Sequence, residues 1–495
     1  MQSLKHPAGL KTLFFTEMWE RMSYYGMRGI LVLFMTASIS DGGLNFTNIS
    51  ASAVYGIYAA LVYLATLPGG WIGDNILGQQ KTILYGGIII MLGHLSLAIP
   101  GINSFYIGLI LVVLGTGLLK PNISAMVGNL YEDNEGMKQS GFTIFYMAIN
   151  LGSILGFFIC GYLGENVGWH YGFGAAGIGM AFGLLQYIYN IKLLDGNGSK
   201  PFNKINLKTK NKYKKIITGV LGLIFLITIL GLFGVWKINP VPLANILTAI
   251  ITLISLSYFF YIFTFGGLDK DEKKKVFMIF VLFLGAALFW SGFDQAGSSF
   301  SIFAKEYTNR IIFGWEYPAS WLQILNPLFV VILSPFMSYL WISLGKKMLD
   351  PSLPFKFGLG LIFMAIGFLV IAIGAQIALD EGRAGAQWLL ITYLVHTIGE
   401  LTLSPIGLSA ISSLSPKKYL GQMMGIWFLA SSLGAIIAGL LSGQATNEGL
   451  ASMPSLFNQI AVTASVFGLV LIIIARPLHQ FVFKESTSEL ERINK

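Results

Sequence analysis

Thr16 to Arg28 reads TEMWERMSYYGMR, inside an otherwise apolar run from about Leu10 to Ala37. A stretch of that length and hydrophobicity crosses a bilayer as a helix, yet it carries Glu17, Glu20, Arg21 and Arg28. At spacings of three and four, Glu17, Glu20, Arg21, Tyr24, Tyr25 and Arg28 share one helical face. Each charge held at mid-membrane costs roughly 2.5–3.5 kcal/mol. That cost is tolerable only where the face meets water or partner charges inside a bundle. A single buried pair would serve as a static strut. Four charges and two tyrosines on one stripe point instead to a polar pathway.

The bulk composition agrees. Of 495 residues, 55% are hydrophobic and only 11% charged, with 58 glycines, which excludes a soluble domain and indicates a multi-span helical membrane protein. The opening MQSLKHPAGLK lacks the pattern of a cleavable signal, so the first span is expected to be retained. The single cysteine, Cys160, excludes an intrachain disulfide and argues against a metal cluster. No metal and no cofactor are expected. A formal charge of +9 would suit nucleic acid, but the lysines gather in loops on one side of the membrane, so no nucleic-acid partner is expected.

Apolar windows give fourteen spans, near 11–37, 51–73, 82–99, 105–127, 139–163, 169–191, 215–235, 243–265, 276–300, 321–344, 355–375, 388–414, 420–441 and 456–474. One side of the membrane then receives Lys5, Lys81, Lys138, the run from Lys192 to Lys215, Lys270 to Lys275, Lys346, Lys347, Lys356, Lys417, Lys418 and Arg476. The other receives only Lys237, Lys305, Arg310 and Arg383. This asymmetry predicts that both termini are cytoplasmic. The polar stretch 193–214 reads as a cytoplasmic linker, and the pair within 215–268 contains no ionisable residue in its spans. Setting that pair aside leaves a six-helix bundle in 1–192 and a second in 269–495 with a cytoplasmic tail, the repeat arrangement of a secondary transporter.

The buried charges follow that repeat. Glu17, Glu20, Arg21 and Arg28 lie on the first core span, Lys120 on the fourth, Asp294 on the seventh and Glu400 on the tenth. Each is the first member of a three-helix unit, and equivalent helices line the common cavity of repeat-built transporters. Arg28 lies about 26 Å along its helix from Lys11, and Asp294 about 28 Å along its own from Lys275. The matching depth and opposite sign suggest an outer gate pair, Arg28–Asp294. Lys120 and Glu400 would form an inner one, with permanent struts as the alternative. Four carboxylates against three cations leave a charge of −1 that one bound proton would cancel, which is a physical reason to expect proton coupling. Tyr63, Asn150, Trp290, Asn326, Trp427 and Ser431 are further candidates for lining the cavity. His396, one turn before Glu400, suits either proton sharing or packing.

Several strings resemble one family. EMWER (Glu17–Arg21) with Tyr24-Tyr25-Gly26 is similar to the ExxER…YYG motif of the proton-coupled oligopeptide transporters, prokaryotic type, in the major facilitator superfamily. GGWIGDNILGQQKTI (Gly69–Ile83) resembles their loop between helices 2 and 3, where Gly70, Asp74, Gly78 and Lys81 would act in conformational change. FYMAINLGS (Phe145–Ser153) resembles their helix 5 signature. LKPNIS (Leu119–Ser124), FWSGFDQAGSS (Phe289–Ser299) and GELTLSP (Gly399–Pro405) extend the likeness into both halves.

The resemblance implies an all-α membrane protein with twelve core helices in two six-helix bundles plus an inserted pair. It implies import of di- and tripeptides by alternating access, with protons as the coupling ion. Glu17, Glu20 and Arg21 would couple protons. Arg21 and Lys120 would meet the peptide carboxylate, and Glu400, Asn150 and Asn326 its amino terminus. Tyr24, Tyr25, Tyr63, Trp290 and Trp427 would form side-chain pockets, with Ser431 beside them. A monomer in a bacterial plasma membrane is expected. The runner-up is a carrier of another small anion or a peptide-like drug. An enzyme or channel would need a nucleophile–base or metal constellation or a ring of like charges, and the sequence offers neither.

Overall fold

In a bilayer, an apolar segment can satisfy its peptide groups by itself only as a helix, and helices follow one another along this chain. The computed structural model describes residues 6–131, 135–203, 206–232, 239–447 and 449–493. Lys5 and Lys237, used above for orientation, lie outside them. The first six helices are α1 (Ala8–Thr36), α2 (Asn48–Ile72), α3 (Gln79–Leu97), α4 (Ile102–Asn129), α5 (Glu135–Tyr162) and α6 (Trp169–Asn190). The inserted pair is α7 (Leu207–Leu232) and α8 (Pro240–Phe265). Then come α9 (Lys270–Phe293), α10 (Ser299–Glu306), α11 (Leu325–Lys346), α12 (Leu353–Glu381), α13 (Gln387–Leu414), α14 (Leu420–Asn447) and α15 (Met453–Ile493).

Among the described residues, 11 helical segments are long and apolar enough to cross a membrane by length and composition. α1 misses that mark because of its charges. α3 and α6 are diluted by glycine and by polar residues at their ends. With these three the spans number fourteen, at the positions read from the sequence. Two local details differ. α7 begins at Leu207, inside the stretch expected as linker, where alternating lysines and polar residues make its first turns. The seventh core span, expected as one helix, is broken in two.

That break has a local cause. α9 ends at Asp294, one 3-10 turn covers Asp294–Gly297, and α10 restarts at Ser299. Side chains take over from the interrupted ladder. Gln295 Nε2 donates to the Ala438 carbonyl at 3.1 Å, Ser299 Oγ donates to Gln295 Oε1 at 2.6 Å, and Ser301 Oγ donates to the Ala296 carbonyl at 2.9 Å. Non-helical backbone at membrane depth survives only with such internal partners. Beyond α10, Thr308–Asn309 pairs in parallel with Ala384–Gly385, and Ile311–Ile312 pairs antiparallel with Trp315–Glu316. Arg310 ties this hairpin down through Glu316 Oε1 at 2.6 Å.

The chain divides into two compact units, Met1–Asn45 with Leu61–Leu243, and Phe46–Ala60 with Ala244–Lys495. α2 is therefore shared. Its first half belongs to the second unit, where Ser52 and Ser442 hydroxyls lie 3.1 Å apart and Ser432 Oγ donates to the Ala60 carbonyl at 3.0 Å. Its second half belongs to the first unit, where Asn122 Nδ2 donates to the Gly69 carbonyl at 3.1 Å. The first unit's core gathers Leu13, Ile83, Leu119, Met126, Phe145, Met180 and Tyr187.

α2 winds into a π turn over Gly73–Leu77, and α5 does the same over Leu163–Val167. Both turns carry Gly-Asp/Glu-Asn (Gly73-Asp74-Asn75 and Gly164-Glu165-Asn166), and both end at a glycine with positive φ, Gly78 and Gly168. The chain thus uses one device twice within its first six helices, as nested repeats would. At the first of them the linker docks. Gln80 N donates to the Gly198 carbonyl at 3.0 Å, Gln80 Nε2 to the Asn197 carbonyl at 2.8 Å, and Asn203 N to the Asp74 carbonyl at 3.0 Å.

Gly78 has φ 83° and ψ 150°, a region almost closed to other residues. A Cβ there would also stand 2.9 Å from the Ser199 carbonyl. Gly78→Ala is expected to cost about 1–3 kcal/mol, read as a lower Tm of the purified protein. Gly196–Asn203 should become more accessible to limited proteolysis in the same variant.

Candidate functional site

Within the first unit, the i, i+3 and i+4 geometry of α1 gathers the charges around Arg21. Its Nε lies 2.7 Å from Glu17 Oε1 and 3.1 Å from Glu20 Oε2. Relative exposures of 1%, 0% and 4% for Glu17, Glu20 and Arg21 show that water does not carry these charges. Glu17 Oε2 and both Glu20 oxygens are buried with no hydrogen-bond partner among the described residues. Two carboxylates thus face one guanidinium, with acceptor atoms left unfilled.

Aromatic rings flank each cation. The Arg21 guanidinium stands 5.8 Å from the Tyr24 ring centroid, Arg28 5.9 Å from that of Tyr25, and Lys120 Nζ 4.6 Å from that of Tyr63. Tyr24 and Tyr25 meet edge to face at 5.2 Å, and Tyr25 leans on Phe157 at 5.7 Å. Such ring faces hold a cation partly desolvated and keep it oriented. Lys120 also contributes to the electrostatic field at Glu20. Asn150 is buried on α5, with its amide Nδ2 donating to the Tyr146 carbonyl of its own helix at 2.9 Å.

Sequence reasoning missed what sets the position of Arg21. A Cβ on Gly152 would collide with the Met18 carbonyl and come 2.8 Å from Arg21 Cβ. The one glycine of the FYMAINLGS string therefore lets α5 press directly on the charged turn of α1. The Gly152–Gly156 spacing of four was the available signal for a close helix crossing. Asn122, in the LKPNIS string, was also passed over. Its side chain ties α4 to α2 at the Gly69 carbonyl. Of the loop residues, Gly70 packs near Pro121, Asp74 Oδ1 accepts from Gln79 Nε2 at 3.4 Å, and Lys81 is exposed.

Within the second unit, Asn326 Nδ2 donates to Glu400 Oε2 at 2.9 Å and to Thr397 Oγ1 at 3.1 Å, bringing two expected residues together. His396 does not join them. Its Nε2 faces the Met364 carbonyl at 3.1 Å, and its ring stacks on Phe300 and meets Phe368 at a tilt, so its geometry is that of a packing histidine. Asp294, 4% exposed, sits at the helix break. Trp290 meets Phe293 edge to face at 5.3 Å, and its buried indole Nε1 has no hydrogen-bond partner among the described residues. Trp427 packs on Phe357 at 6.1 Å, and Ser431 is buried one turn further along α14.

A helical membrane protein with a buried ion cluster, further ionisable residues on repeat-equivalent spans and a broken span is a secondary transporter, and the fold is that of the major facilitator superfamily. The POT family pattern matches residues 80–460, and the chain belongs to that family. It is 41% identical to the peptide transporter YePEPT of Yersinia enterocolitica over 492 residues, covering 96% of this chain and 95% of that one. It is 38% identical to a di-/tripeptide transporter of Lactococcus lactis over 485 residues, covering 95% and 96%. Among solved structures it is similar to the peptide transporter POT in complex with sulfate, with a TM-score of 0.90, 36% identity and 97% of both chains covered.

Replacing Arg21 with Met leaves two buried carboxylates facing each other without a cation. The variant is expected to lose about 3–5 kcal/mol of stability, read as a fall in Tm in detergent. Adding Glu17→Gln to Arg21→Met should restore part of that loss.

Proposed function

We propose that the chain is a proton-coupled symporter that imports di- and tripeptides by alternating access. The observation that carries this reading is the buried Glu17–Arg21–Glu20 cluster on α1, which holds more acid than base and has unfilled acceptor atoms. The names of the two relatives above support peptides as the cargo. A peptide of variable middle offers a carboxylate, an ammonium group and side chains of any kind. Arg21 and Lys120 supply cations for the first. Glu400, oriented by Asn326 and assisted by Asn150, supplies an anion for the second. Tyr24, Tyr25, Tyr63, Trp290, Trp427 and Ser431 supply walls that tolerate variety, because ring faces and a hydroxyl impose little shape.

Proton uptake at the Glu17–Glu20 pair frees Arg21 from one carboxylate and so couples the ion to the peptide. Arg28 and Asp294 act as the outer gate pair, and Lys120 and Glu400 as the inner one. Each pair forms while the other opens. Gly70, Asp74, Gly78 and Lys81, with the linker docked on them, serve the change of state. The protein works as a monomer in the cell membrane with both termini in the cytoplasm, in keeping with its lysine-rich side.

Purified protein in liposomes should accumulate labelled dialanine under an inward proton gradient and stop when a protonophore collapses it. Uptake of another small anion in preference to dialanine would sink the peptide reading. Glu20→Gln should abolish gradient-driven accumulation while peptide counterflow persists. A variant that still accumulates peptide would remove Glu20 from the coupling step.

For the gate, paired cysteines next to Arg28 and Asp294 are introduced in a Cys160→Ala background and cross-linked. Transport should cease on cross-linking and return on reduction. Undiminished transport would show that the pair is no gate.

A further inference from the structure

The inserted helix pair has no part in the chemistry above, but α8 forms one wall of a cleft of about 440 Å³ at the lysine-rich end of the second unit. Lys270, Lys273 and Lys274 of the first turns of α9 line it, together with Phe263 near the end of α8, Phe277 of α9 and Phe481 of α15. Three cations and three phenyl rings share one opening, and no carboxylate lines it. Of the nearby acids, two are engaged elsewhere and one pairs with a lysine of the cleft. Asp269 and Glu272 form the reciprocal capping box that starts α9, and Asp271 Oδ1 pairs with Lys274 Nζ at 3.0 Å. Among the described residues, Lys270 and Lys273 have no carboxylate within ion-pair distance.

The polar and apolar parts are segregated along the helix axis. Phe277 lies two turns deeper than Lys270, about 10 Å at helical rise. It meets Phe481 edge to face at 6.4 Å, and Lys274 Nζ stands 5.8 Å from the centroid of the Phe481 ring. Further apolar side chains are exposed on two of the three helices that line it, Phe260 and Phe265 of α8 and Ile473 of α15. Side chains of that kind, on spans of this hydropathy, face acyl chains. An occupant must therefore present an anion at headgroup level and hydrocarbon beneath it. Basic pockets between spans at such a level hold anionic lipid headgroups by charge and chain contact together.

We propose that this cleft is a binding site for an anionic phospholipid of the leaflet on the lysine-rich side. The phosphate rests on Lys270, Lys273 and Lys274, and one acyl chain lies along Phe263, Phe277 and Phe481. α8 then acts as a lipid-held brace on α9, the helix that leads to the break at Asp294. Phe259 of α8 packs on Phe280 and Phe283 of α9 at 4.9 and 5.6 Å, so lipid in the cleft extends an existing contact.

The test is native mass spectrometry of the full chain in neutral detergent, titrated with phosphatidylglycerol and with phosphatidylcholine. Wild type should retain phosphatidylglycerol in preference, and 10 mM inorganic phosphate (about that concentration serves as a free-anion control) should not displace it. Lys270→Gln and Lys273→Gln should each weaken retention about fivefold, and the triple variant with Lys274→Gln on the order of a hundredfold. Phe481→Ala should weaken retention of long-chain but not short-chain phosphatidylglycerol. Lys346→Gln/Lys347→Gln, on the same side but outside the cleft, should change nothing. If the triple variant does not fold, the two single variants at exposed positions decide the matter. Equal retention of the two lipids, displacement by phosphate, or unchanged retention in the single variants would each overturn the site.

Discussion

A guanidinium between two carboxylates, shut away from water inside an apolar helix bundle, constrains everything around it. Arg21 sits 2.7 Å from Glu17 and 3.1 Å from Glu20, all three nearly unexposed. Neither charge sign could be buried there alone at tolerable cost. The cluster therefore fixes the rotation of α1 about its axis, because any other rotation would present it to lipid. It also demands a neighbour that approaches closely without adding bulk. α5 provides that neighbour through Gly152, whose missing side chain leaves room for the Met18 carbonyl and Arg21 Cβ. A partner helix with a larger residue at that position would push Arg21 off the two carboxylates it bridges.

The second unit organises its acids differently. Glu400 Oε2 accepts a hydrogen bond from a neutral amide, Asn326 Nδ2. A hydrogen bond of that kind orients a carboxylate without cancelling its charge. Asp294 lies in a break between α9 and α10 that Gln295, Ser299 and Ser301 make tolerable by bonding the loosened backbone. Broken spans of this sort are where repeat-built transporters place groups that must change partners. The shared helix α2, with one half in each unit, belongs to the same logic. Its halves are bonded to different neighbours, Ser442 and Asn122 among them.

The parts that look accessory are bonded to the core helices. The linker residues Gly198 and Asn203 bond the backbone of the Asp74–Gln80 turn, and α8 packs on α9 through Phe259. A lipid in the cleft beside α8 would give the inserted pair a purpose that its apolar spans do not announce.

The sequence alone determined which segments span the membrane and which of their faces are polar. Hydropathy and the 3.6-residue period are local properties, and the Glu17–Arg21 contact is itself an i, i+4 pair. The resemblance carried by EMWER, FYMAINLGS and GDNILGQQK likewise rested on short strings, and family membership followed from them. Only tertiary structure decided what those faces meet. The pressure of Gly152 on Arg21, the Asn326–Glu400 bond, the placing of His396 on Met364 and the docking of the linker at Gly78 all join residues far apart in the chain. The break at Asp294 has the same origin, since the Ala438 carbonyl on α14 is one of the partners that make it affordable. A period in the sequence reports which way a side chain leaves its own helix; the identity of the atom waiting there depends on packing between helices.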